Sequence, residues 1–282
     1  MTQQEYKAIS LDTLRLISTQ DYDINGQTFY IRYHIKKMLK ETKVYNNISI
    51  SKPTLTNPQK PNYKVANQTT IKAALDLSGS IGQIGILNFA SAIKAGGGWL
   101  NGRIAQEEDI MRKTTVFPSI LIQNEFYKNH SISNPFYSDR IIYSPNVFII
   151  KDDDFNKITP IKINVLTSAA INLNDIKKNS LLNQQIINYN TINKIDIIQI
   201  TMLNRIRKIL LVAIENNIKN IVLGAFGCGV FGHDAIDIAN IFQQLLIQEK
   251  YEQYFNNIIF AVLDNSNYLY NFNAFNDIFG NL

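Results

Sequence analysis

The sequence predicts an α/β fold: a mixed or mostly parallel sheet covered by helices on both faces, with an N-terminal helical extension. Two observations predict it. From about residue 69, short apolar runs alternate with amphipathic stretches of helical period. The apolar runs "IGILNFA" and "NIVLGAF" show no polar alternation, which marks strands buried on both faces. A third observation places the function. Each of these two runs is followed by a glycine-rich loop.

Taken in order, residues 3–18 read as a helix, with Ile9, Leu11, Leu14 and Ile17 at roughly helical spacing. Asn25-Gly26 is a tight-turn pair between two short strand candidates, and 31–42 is helical again. "SKPTLTNPQKPNYK" (51–64), with three prolines, reads as an extended surface segment. Residues 1–65 are taken as an accessory N-terminal extension and 66–282 as the main domain. Residues 69–77 form a helix capped by Thr69 or Thr70. A strand follows at 84–90, then a helix at 107–117 and strands at 146–150 and 163–169. The Asn- and Ile-rich stretch 172–200 reads as a long loop. Beyond it come a helix at 201–217, a strand at 220–226, a helix at 234–250 with Asp234 as N-cap, a last strand at 257–264 and a closing helix at 273–279. The aromatic tail "NYLYNFNAF" reads as core rather than as a base-stacking platform.

With 282 residues, 45% of them hydrophobic, the chain can bury one sizeable core. Its single cysteine permits no internal disulfide and argues against a cysteine-based zinc site, and His34, His130 and His233 are scattered. No metal and no cofactor are expected. The N-terminus lacks a secretory signal and no run approaches 18 apolar residues, so the expectation is a soluble, intracellular, cytoplasmic protein without membrane contact. Export that needs no N-terminal signal would leave no mark here. A net charge of +5 suits a phosphate-rich partner, although the lysines are dispersed and match a general Asn-Ile-Lys bias.

Gly96-Gly97-Gly98 follows the first buried strand, and Gly227-Cys228-Gly229-Val230-Phe231-Gly232 the second. In open α/β sheets the carboxyl ends of the strands are where ligands bind. Glycine admits positive φ and close approach to a ligand, and loop N–H groups beside a helix N-terminus make an anion site. Two such loops facing each other could hold a diphosphate; either by itself reads more simply as a tight strand-to-helix connection. Neither matches a P-loop or a GxGxxG fingerprint. Gln106-Glu107-Glu108-Asp109 opens the next helix, where acidic residues complement the dipole in any case. Successive helix residues point about 100° apart, so Glu107 and Glu108 cannot do the same job.

Together, "GGGWLNGRIAQEE", the preceding "LNFASA" and the later "VLGAFGCGVFGHDA" resemble the microbial type of poly(ADP-ribose) glycohydrolase. "IIYSPNVFIIKDDD" and "IIFAVLD" extend the likeness over most of the chain. The resemblance implies a macrodomain fold with ADP-ribose in a cleft at the strand ends. It implies hydrolysis of ribose–ribose O-glycosidic bonds, exo-cleavage releasing ADP-ribose and reversing ADP-ribosylation. Glu108 would be the catalytic acid/base and Glu107 would bind hydroxyls of the distal ribose. Gln106, of the same signature, would be among the substrate-binding residues. Gly96, Gly97 and Gly98 would lie against the diphosphate and distal ribose. Gly227, Cys228, Gly229, Val230 and Phe231 would form the second phosphate loop, with Asn88 and Ser91 lining the ribose site. The partners implied are poly(ADP-ribose) or ADP-ribosylated proteins, with no sequence-specific nucleic acid. Alternatives are an ADP-ribose-binding reader, or a hydrolase of single ADP-ribose units on protein or nucleic acid. The chain departs from the pattern at Lys94-Ala95, where Asn-Pro is common, and at Phe226, where Trp is common. Lys94 is read as pointing to solvent. Cys228 is read as lending its N–H and packing its sulfur rather than pairing with His233, which is read as a surface residue.

Overall fold

Thr2 starts the first helix by a reciprocal cap: its hydroxyl accepts the Glu5 N–H at 3.3 Å, and Glu5 accepts the Thr2 N–H at 2.5 Å. The computed structural model describes residues 1–46, 51–55, 58–128, 130 and 134–282. Helix α1 (Gln3–Thr19) leads into a hairpin of β1 (Asp21–Ile24) and β2 (Gln27–Tyr30). Its turn is Asn25-Gly26, with φ of 50° and 82°, the positive pair a two-residue hairpin requires. Then come α2 (Arg32–Glu41), β3 (Lys43–Tyr45), β4 (Asn62–Ala66) and α3 (Thr70–Asp76). Thr69 is the α3 cap, accepting the Lys72 N–H at 3.0 Å. The segment read as extended over 51–64 includes 56–57, outside the described residues, and its end enters the sheet as β4.

Strand β5 (Gln83–Phe89) precedes a 3-10 turn at Trp99–Asn101 and helix α4 (Gln106–Lys113). The helix expected to run to 117 stops at Lys113. Thr114 is extended and bridges to Ile149, and Pro118, which lacks an N–H, sits in the first turn of a separate α5 (Phe117–Leu121). After α6 (Asn124–Lys128) come the long β6 (Ile141–Lys151) and β7 (Lys157–Ser168). The stretch read as a loop over 172–200 is instead α7 (Leu173–Lys178), α8 (Ser180–Asn193) and the start of α9 (Ile197–Glu215). Three polar caps build it. Asn172 accepts the Asp175 N–H at 3.2 Å, Asn179 the Leu182 N–H at 3.1 Å and Asp196 the Ile198 N–H at 2.9 Å. Helix α8 buries only Ile186, so it carries almost no apolar stripe for periodicity to detect. The chain ends with β8 (Ile218–Leu223), α10 (Ala235–Gln243, capped by Asp234), β9 (Asn257–Ala261) and α11 (Tyr270–Phe279).

The main sheet has seven strands in the order β3-β6-β7-β5-β8-β9-β4. Strands β7, β5, β8, β9 and β4 run parallel, while β3 and β6 pair antiparallel at one end. Strand side chains alternate between two cores. Leu87, Leu166, Ile221 and Phe260 face one core, closed by α9, α10 and α11; Ile86, Val165, Val222 and Ile259 face the other, closed by α1 to α5. Of the aromatic tail, Ala274 and Phe275 are core, whereas Tyr268 and Tyr270 are exposed. No helix among the described residues is long and apolar enough to cross a membrane. The consequence for function is positional. β5 and β8 are adjacent and parallel, so both glycine loops leave the same edge of the sheet.

Candidate active site

Gln106 ties the start of α4 to the end of β5. Its Oε1 accepts the Phe89 N–H at 2.8 Å, and its Nε2 donates to Leu87 O at 2.7 Å and Thr70 Oγ1 at 3.0 Å. The amide expected at the substrate therefore spends its side chain on the protein's own strand end. With that anchor in place, the next two side chains turn back onto the first loop. Glu107 Oε2 accepts the Ser91 N–H at 2.8 Å. Glu108 Oε1 accepts the Gly98 N–H at 2.8 Å, and its Oε2 accepts the Ala105 N–H at 3.2 Å. The glycine run and the acidic run are thus two halves of one hydrogen-bonded unit. Gly97, at φ +57°, lies between them: a methyl group there would sit 2.5 Å from Glu108 Oε1 and 2.9 Å from Glu107 Oε2.

Both carboxylates are buried, Glu107 at 3% exposure and Glu108 at 7%. Burial, reinforced by the neighbouring Glu108, pushes the Glu107 carboxyl up to about 8, against the opposing pull of Ser91, Asn88 and Gly96. Among the described residues Glu107 Oε1 has no hydrogen-bond partner, and neither does Asn88 Oδ1, whose amide nitrogen reaches Thr167 Oγ1 at 3.3 Å. The Tyr127 hydroxyl is likewise buried and unpartnered among the described residues, its phenol held protonated by burial and by Glu107. Buried polar atoms without partners cost about 1–3 kcal/mol each, so their gathering beside Glu107 marks a place for a polar ligand. One stability prediction follows. Because the folded value of about 8 lies above the ordinary 4.5, folding takes up a proton between those limits. Stability then falls as pH rises through that window. Glu107→Gln removes this titration, so thermal melts should show it gaining on the wild type by about 2–4 kcal/mol between pH 5 and pH 8. A constant difference across that range contradicts the assignment.

The second loop faces the α4 N-terminus across a cleft of about 550 Å³, whose lining includes Gln106, Cys228, Gly229 and Val230. Gly227 has φ +84°, and a methyl group there would meet the His233 ring at 2.8 Å. His233 is accordingly buried, not a surface residue, with its ring nitrogen 2.8 Å from Ile171 O. Gly229 has open space where a side chain would be, and Val230 is exposed. The Cys228 N–H already donates to Ala225 O at 3.1 Å, closing the loop's turn. Burial pushes its thiol up to about 12, far from an activated thiolate. Phe231 packs on Tyr137 at 6.1 Å between centroids. Tyr137 packs on His130, and the His130 ring contacts Ala92 O at 2.9 Å, so the two loops are linked through this aromatic chain. Lys94 is exposed, as expected, and Phe226 is buried against Phe89.

One buried cation that sequence reading passed over organises the loop between the glycines and the acids. Arg112 Nε donates to Ser10 Oγ at 3.0 Å and Tyr6 O at 3.3 Å, and its Nη2 reaches Trp99 O at 3.3 Å and Arg103 O. Ser10 Oγ donates to Trp99 O at 2.7 Å, and Gln3 Nε2 to Asn101 O at 2.8 Å. Helix α1 therefore clamps residues 99–103 from outside. Arg112→Met leaves several buried carbonyls short of donors, at about 3–5 kcal/mol in all. The expected result is a Tm lowered by about 10 °C. Arg112→Lys should restore less than half of it, because a single ammonium cannot reproduce the fork. A Tm within 2–3 °C of wild type for the Met variant would contradict the clamp.

Fold and site define an α/β/α protein with a cleft at its strand ends, between the second glycine loop and the start of α4, and a buried carboxylate pair held against the first glycine loop. The model of the microbial-type PARG catalytic domain matches residues 10–152, about half of the chain. The chain belongs to that family. The poly(ADP-ribose) glycohydrolase of Thermomonospora curvata is similar at 30% identity over 98% of this chain and 100% of that one, with a TM-score of 0.88. The same enzyme bound to the inhibitor ADP-HPD is similar at a TM-score of 0.84, with the same identity and coverage. The poly(ADP-ribose) glycohydrolase of Deinococcus radiodurans in complex with ADP-ribose is similar at 27% identity, with a TM-score of 0.73, over 91% of this chain and 98% of that one. No curated protein matches the chain.

Proposed function

We propose that this glycohydrolase cleaves the ribose–ribose O-glycosidic bond of poly(ADP-ribose) and releases ADP-ribose, with Glu108 as general acid and base. The observation that carries the reading is the bonded unit of Gly97, Gly98, Glu107 and Glu108, in which Glu107 and neighbouring Asn88 keep unpartnered acceptors. A ribose diol supplies two donors, matching the free oxygens of Glu107 and Asn88. The diphosphate is assigned to the cleft between the second glycine loop and the start of α4, where Cys228, Gly229 and Val230 form one wall. Burial pushes the Glu107 carboxyl up, so this acid keeps a proton beside the scissile bond at neutral pH. Ribose hydroxyls donating to Glu107 favour its carboxylate form.

In the first step Glu108 protonates the departing ribose oxygen. The bond to the anomeric carbon breaks with its electron pair going to that oxygen, leaving an oxocarbenium-like centre. In the second, water attacks that carbon and gives its proton to the Glu108 carboxylate, restoring the acid. One carboxylate thus serves both steps, unlike the separated pairs of most glycosidases. The reading is tested by incubating the purified protein with labelled poly(ADP-ribose) and, separately, with a mono-ADP-ribosylated protein. ADP-ribose released from the polymer, with little from the mono-modified substrate, is the expected result. Release from the mono-modified substrate alone would move the activity to single units, and binding without release would make the protein a reader.

A further inference from the structure

We propose that the chain carries a second site for poly(ADP-ribose), a lysine-walled cleft at the opposite edge of the sheet, which holds a part of the polymer that is not being cut. The proposal rests on the glycohydrolase reading above. The cleft has a volume of about 1130 Å³ and lies over the starts of the parallel strands, with Gln83, Ile84 and Asn164 on its floor. Its rim carries Lys37 and Lys40 from α2, Lys43 from β3 and Lys162 from β7, and its one carboxylate is Glu41. Glu41 is already engaged by the Asn146 amide at 2.7 Å and loosely by Lys37 at 4.0 Å. Lys40, Lys43 and Lys162 are exposed and form no ion pair among the described residues. Their field reaches inward: alongside burial, Lys162 and Lys37 lower the pKa of His34.

Four cations converging on one concavity with one committed acid repel each other, and an anion relieves that repulsion. The floor narrows the class of anion. Asn164 is spent on Tyr143, Gln83 and Ile84 O, at 3.0–3.1 Å, so no buried polar group is left to read a base or a sugar. Recognition by charge alone suits a chain of repeating phosphates rather than one particular nucleotide. Strand β5 separates this cleft from the first glycine loop; its seven residues span about 20 Å. A polymer of several ADP-ribose units can touch both places, while the shortest substrates reach only the catalytic cleft.

The test is the fourfold variant Lys37→Gln, Lys40→Gln, Lys43→Gln, Lys162→Gln, assayed at low salt on long polymer and on a two-unit substrate. We expect KM for long polymer to rise about tenfold with kcat unchanged, and the two-unit substrate to be turned over as by the wild type. The slope of log KM against log salt should fall by about 3, one step of roughly 0.7 for each lost contact. Unchanged KM for long polymer overturns the proposal, and so does an equal loss on both substrates. Anisotropy with labelled long polymer, using Glu108→Ala with and without the four substitutions, decides the site independently of turnover. Weaker binding by the fivefold variant supports the cleft even if the wild type proves to hydrolyse neither substrate, an outcome that would fell the catalytic reading alone. Tighter binding of single-stranded DNA than of polymer through these lysines would reassign the cleft to nucleic acid and overturn the proposal.

Discussion

Gly97→Ala is expected to lower turnover of poly(ADP-ribose) by at least about 100-fold, the scale of loss for a displacement near 1 Å at reacting groups. Two effects coincide at this residue. Its φ of +57° costs a non-glycine residue about 1–2 kcal/mol. The added methyl would also press on Glu108 Oε1 at 2.5 Å and Glu107 Oε2 at 2.9 Å, so both carboxylates must move. Gly229 offers the internal control. It lies in the other loop, with a negative φ and open space where a side chain would be, so Gly229→Ala should fold as the wild type does. Steady-state rates and circular dichroism on the two variants check this. A Gly97→Ala protein with more than about a third of wild-type turnover would mean that the carboxylates are not held against that glycine.

Much of this arrangement is legible in the sequence because it is local. The glycine runs follow apolar strands, the acids open a helix, and Thr69 and Asp234 cap where their side chains predict. The Asn25-Gly26 turn is equally local, and it forms. What the sequence hides depends on partners far along the chain. Arg112 and Lys113 look like the polar face of a short helix, yet both are buried. Arg112 meets α1 from about a hundred residues away, and Lys113 sits between Asp109 and Asp153 at 2.7 Å from each. His233 looks exposed beside its capping Asp234, but the missing side chain of Gly227 opens a slot for its ring. Tyr127 comes from a five-residue helix with no motif to announce it. The helices over 173–193 escape detection because their polar caps, not an apolar stripe, define them. Gln106 lines the cleft, and its three bonds to β5 and α3 also make it the strap that aims the two residues after it, a tertiary role the signature does not announce.

In the proposed mechanism Glu108 moves the proton at the scissile bond while the glycine loops do the holding. Glu108→Ala separates these roles. It removes the carboxylate and leaves the Gly98 and Ala105 N–H groups to water, which can occupy the vacated space. The direct measurement pairs single-turnover hydrolysis of labelled poly(ADP-ribose) with calorimetric titration of ADP-ribose, on wild type and variant alike. The expected result is a rate lower by about 1000-fold, the scale of a lost general acid and base, with ADP-ribose affinity kept within about fivefold, about 1 kcal/mol. Wild-type hydrolysis by Glu108→Ala, or affinity lost in proportion to rate, would contradict it.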